Sequence, residues 1–107
     1  MNSRVVSLLS ICRKAGKLAV GFDLVKESIR DGKAHLVVLA GDLSPKTAKQ
    51  IQFEAGRNPG SVRVLQLPET MFELSNILGR KAGVMSVTDA GLAGSILQTA
   101  GKPNREE

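Results

Sequence analysis

Tryptophan and tyrosine are absent, and the chain has one cysteine, one histidine and three phenylalanines. Each shortage excludes something. A single cysteine rules out an intramolecular disulfide and fits a reducing compartment. One cysteine with one histidine cannot build a typical metal cluster, so no metal or cofactor is expected. With so few aromatics, the core must be aliphatic. The longest apolar run, residues 36–40, is far too short for a secretory h-region or a membrane span, and the expectation is a cytoplasmic protein with no membrane partner. Enzyme motifs are missing too. No Gly-x-Gly-x-x-Gly follows a strand, and residues 79–86, GRKAGVMS, have a glycine pair without the Gly-Lys-Ser/Thr of a Walker loop.

What is present describes one small basic domain. At 107 residues the chain has the usual length of a single domain. A chain of this size buries roughly two-thirds of its unfolded surface. Residues 1–101 are expected to form the domain and 102–107 a flexible tail. The formal net charge of +5 suggests a polyanionic partner. The excess gathers early: Arg4, Arg13, Lys14, Lys17, Lys26, Arg30 and Lys33 stand against Asp23, Glu27 and Asp31.

Helix and strand patterns alternate along the chain. Val5, Leu8 or Leu9, and Cys12 recur at helical spacing after a cap at Asn2 or Ser3, and Gly16 ends that helix. Cys12 lies on its apolar stripe, which makes it a core residue. A strand over residues 18–20 closes at Gly21. A helix over 22–31 turns Phe22, Val25 and Ile29 inward and stops at Gly32. Residues 35–40 read as a central strand covered on both faces, with Asp42 just past its C-terminal end. Ser44-Pro45 starts a third helix with Ala48, Ile51, Gln52 and Ala55 inward. Residues 56–60 form a loop, 62–67 a strand, and 68–78 a helix with Met71, Leu74 and Leu78 inward. After the basic turn 80–83 come a strand over 84–88 and a helix capped by Asp89. Such alternation predicts a sheet between two helix layers with crossover connections.

RNA binding needs cations for phosphates, a glycine turn for close backbone approach, and a helix N-terminus that presents N–H donors. Gly21, flanked by Lys17 and Lys26, meets that description, and so do residues 80–84 if they fold beside it. The plainer alternative makes these glycines caps and the cations a solvated face. A phospho-receiver reading would rest on Asp42 alone.

Residues 13–50, RKAGKLAVGFDLVKESIRDGKAHLVVLAGDLSPKTAKQ, followed by residues 67–89, LPETMFELSNILGRKAGVMSVTD, resemble the ribosomal protein family of L-seven-Ae and L-thirty-e. Within it they are similar to the small bacterial YlxQ-like, ribosomal-protein-like branch. The resemblance spans nearly the whole chain. It implies a three-layer α-β-α sandwich around a mixed, mainly four-stranded sheet, and RNA binding without catalysis, with rRNA or the ribosome as partner. Many members of the family grip kink-turn RNA through a Gly-x-Asn-Glu segment at a helix N-terminus. That segment aligns with Gly21-Phe22-Asp23-Leu24. Asp23 in place of Asn can only accept when ionised, and Leu24 in place of Glu has no acceptor for a guanine edge. Both departures weigh against kink-turn recognition. Under this reading Lys14, Lys17, Lys26, Arg80 and Lys81 contact phosphates. Gly21, Phe22 and Asp23 approach bases, and Gly83 and Val84 give apolar packing to an unstacked nucleotide. A protein-interaction module on the same fold is the alternative.

Overall fold

The computed structural model describes residues 3–57 and 62–101. Its elements run α1 (Ser3–Lys14), β1 (Leu18–Val20), α2 (Phe22–Arg30), β2 (Leu36–Leu39), α3 (Pro45–Arg57), β3 (Arg63–Gln66), α4 (Met71–Leu78), β4 (Val84–Val87) and α5 (Ala90–Gly101). The α/β alternation read from the sequence is therefore the observed one. The strands β2, β3 and β4 are each shorter by one or two residues than expected, although single backbone bonds at His35, Ala40 and Leu67 continue past the paired residues. Gly56 and Arg57 lie in α3 rather than in the loop, and the rest of that loop and the tail at 102–107 fall outside the described residues.

The sheet has four strands in the order β1-β4-β2-β3. The crossover through α3 makes β2 and β3 parallel, while β4 inserts between β1 and β2 and is antiparallel to both. Every residue of β2 and β4 is buried, since helices cover both faces of the sheet. Side chains alternate across it. Leu36, Val38, Met85 and Val87 pack with Val5, Leu9, Cys12, Leu74, Leu78 and Ile96 of α1, α4 and α5. On the opposite face Val37, Leu39 and Val84 pack with Val25, Ile29 and Ile51 of α2 and α3. These are the two helix layers of a three-layer α-β-α sandwich. Gln52, expected on the inner face of α3, is exposed, and Ile51 and Ala55 carry that face.

The strand order brings four connections to one end of the sheet. The Gly21 amide donates to the Val84 carbonyl at 2.9 Å, Ala40 to Gly83 at 2.9 Å, Gly41 to Glu69 at 2.8 Å, and Leu67 to Leu39 at 2.8 Å. The helices α2, α3 and α4 all begin at this end. Asp42 is here as well, but its role is local: Oδ1 accepts from the Met71 amide at 2.9 Å and so caps α4. That geometry corrects the reading of Asp42 as a reactive strand-end carboxylate.

Candidate nucleic-acid interface

Gly21 joins β1 to α2 with φ 106° and ψ 153°, a region of backbone space that is essentially glycine-only. Its carbonyl accepts from the Val25 amide at 3.0 Å, which starts the α2 ladder. No side chain caps α2. The amides of its first turn have no intrahelical acceptor and carry the positive end of the helix dipole. Ser28 anchors the helix behind them. Its hydroxyl donates to the Val25 carbonyl at 2.7 Å and lies 2.8 Å from the Ser86 hydroxyl of β4.

The basic turn folds beside this glycine, the condition that the sequence left open. A Cβ on Gly21 would sit 3.4 Å from Arg80 Nη2, so the guanidinium lies against this glycine. A second arginine joins the turn from below. A Cβ on Gly79, which ends α4 at φ 75°, would lie only 2.7 Å from Arg13 Nη2. Arg80 and Lys81 are exposed, as is Asp23 in the first turn of α2. Among the described residues the one ion pair is between Arg30 and Glu54, which leaves Arg13, Arg80 and Lys81 without a carboxylate partner there.

Other residues in the expected set go elsewhere. Val84 is 3% exposed within the α2–α3 core, and Gly83 is buried where a Cβ would meet Leu43 Cδ1 at 2.7 Å and Met71 Sδ at 2.9 Å. Neither can pack against a nucleotide, and both leave the contact set. Phe22 and Lys26 pair with each other, Nζ lying 5.2 Å from the ring centroid, and face α3 rather than Arg80. Lys17 enters β1 at the end opposite Gly21, roughly 13 Å away at the usual strand rise, and Lys14 ends α1 just before it. Arg13 was not among the residues expected at the site, although Lys14 beside it in the last turn of α1 was. The Gly79 that makes room for Arg13 lies far off in sequence.

Other chemistry is weak here. Cys12 is buried, and burial together with the charge of Asp89 pushes its thiol up, away from thiolate character. Among the described residues no group of three or more His, Cys, Asp and Glu could hold a metal ion. Nor is any described helix long and apolar enough to cross a membrane.

A sandwich of this topology, with Arg80 beside the glycine at the uncapped start of α2 and Arg13 against the glycine that ends α4, defines a small α/β binding domain. Residues 3–94 match the Ribosomal protein L7Ae/L30e/S12e/Gadd45 family, and the chain belongs to that family. It is 33% identical over 95 residues to the RNA-binding protein YlxQ of Bacillus subtilis (strain 168), covering 84% of this chain and 88% of that one. It is 31% identical over 92 residues to the large ribosomal subunit protein eL30 of Dictyostelium discoideum, covering 84% of this chain and 80% of the relative. The fold is similar to that of a solved protein of unknown function from Bacillus halodurans C, with a TM-score of 0.83 and 23% identity over 92% of this chain and 97% of that one.

Proposed function

We infer that this chain is a non-enzymatic RNA-binding protein of the cytoplasm that associates with ribosomal RNA. The observation that carries the reading is the placement of Arg80 on Gly21, at the uncapped N-terminus of α2. Family membership and the RNA-binding and ribosomal names of its relatives support it. Arg80, Lys81 and Arg13 neutralise phosphates, and the Gly21 turn lets the RNA backbone or a base edge come close to the first-turn amides of α2. Asp23 accepts from base amino groups. Leu24, 51% exposed, offers apolar surface where kink-turn binders carry a carboxylate, so the target differs from a standard kink-turn. Lys14 and Lys17 meet RNA only if it runs along the β1 edge.

The test is filter binding to total rRNA. The native chain is expected to retain rRNA at low salt, with affinity falling steeply as salt rises because several phosphates are neutralised. No retention at low salt would exclude this function. A second reading, a protein-docking module, draws on exposed Ile11 and Leu24. Partners that survive nuclease digestion in a pulldown would favour it.

A further inference from the structure

We propose that the groove between α2 and α3 is a second RNA seat, one that takes an unpaired nucleotide by stacking. It rests on the RNA-binding reading above and extends it to a surface that the glycine turn does not include. Phe22, Lys26, Lys49, Gln50, Phe53 and Glu54 line an open groove of about 410 Å³. That volume lies in the range of small-ligand sites and admits a nucleobase with its sugar.

The groove combines the parts that single-strand binding uses, stacking rings and a cationic rim. Phe53 is 64% exposed, although a chain with three aromatics has every reason to bury them. Arg57 lies 5.5 Å from its ring centroid and Lys26 5.2 Å from that of Phe22, so each ring carries a cation at one face. Lys49 completes the rim. The carboxylate within the groove does not cancel this charge, because Arg30 Nε and Nη2 hold both oxygens of Glu54 at 3.1 and 2.9 Å. Phe22 follows Gly21 directly, so the groove adjoins the Arg80 turn. The charge complements a phosphodiester chain, and an exposed ring between cations suits a base better than a buried apolar side chain.

The absence of tryptophan supplies a clean probe, because the indole of Phe53→Trp is then the sole strong fluorophore. Titration with a ten-nucleotide oligoadenylate is expected to quench it over the same concentrations that saturate binding by the native chain in anisotropy. Phe72→Trp, at an exposed site on α4, is expected to keep its emission. Phe53→Ala weakens oligoadenylate binding by about 5- to 150-fold, the usual loss for one stacked base. Oligoadenylate that does not bind while rRNA does, or that binds without quenching and ignores Phe53→Ala, overturns the groove and leaves the general RNA reading standing. If neither RNA binds, both fall. A nuclease-resistant protein partner lost with Phe53→Ala, beside unchanged oligoadenylate binding, assigns the groove to protein and overturns the proposal.

Discussion

Two glycines of the contact end do different work, and substitution separates them. Gly21 stands in glycine-only backbone space, so Gly21→Ala is expected to cost about 1–3 kcal/mol in a urea melt. Gly83 is a packing glycine. A methyl group there would strike the flexible ends of Leu43 and Met71, which must move aside, and Gly83→Ala is expected to cost about 1 kcal/mol, the low end of overpacking. Glu69 works in the opposite direction. It is 4% exposed and neither carboxyl oxygen finds a partner among the described residues. A buried polar group left unsatisfied costs roughly 1–3 kcal/mol, so Glu69→Leu is expected to raise the melting temperature, and a lower one would mean that the carboxyl is held. At this scale Gly21 was legible in the sequence as a turn before an amphipathic run. The burial of Val84 was not, because it depends on α2 and α3 covering that face of β4, packing that no local pattern reports.

At the scale of elements, α4 depends on its start. Thr70 accepts from the Glu73 amide at 3.1 Å while the Glu73 carboxylate accepts from the Thr70 amide at 2.8 Å, and Asp42 adds the Met71 bond from a distant loop. Thr70→Ala is expected to cost about 1 kcal/mol, the usual loss for a cap, read as a lower urea midpoint. The capping box stands in the sequence as Thr-x-x-Glu, and with Thr70 as its cap α4 begins at Met71 rather than at Pro68. The bond from Asp42 could not be read there, since it joins residues 29 apart. Between α2 and α3, hydrogen bonding to Arg30 holds the Glu54 carboxyl below its ordinary range. A pKa lower in the folded state stabilises above the unfolded value and is lost as pH falls through the folded one. Glu54→Gln is therefore expected to flatten the acid limb of a stability–pH curve and to lower stability only above that window, as checked by melts across pH.

For the molecule as a whole, alternation of elements announced a layered α/β sandwich, and the family resemblance supplied the mixed sheet. The position of β4 between β1 and β2 was not visible in any local pattern, because strand order is set by long-range pairing. That insertion matters for function. It carries the turn before β4 to Gly21 and leaves Lys17 at the far end of β1, so cations expected on one face part company in space. On the proposed reading the net charge of +5 steers RNA generally, while Arg80 and Lys81 hold it at one place. The most direct test is the salt dependence of rRNA binding by Arg80→Ala and Lys17→Ala beside the native chain. Arg80→Ala is expected to weaken binding at every salt concentration and to reduce the log–log slope by roughly one phosphate contact, about 0.7–0.9, with Lys17→Ala changing both far less. Unchanged affinity and slope for Arg80→Ala, or the larger loss at Lys17, would contradict an RNA-binding face built on the Gly21 turn.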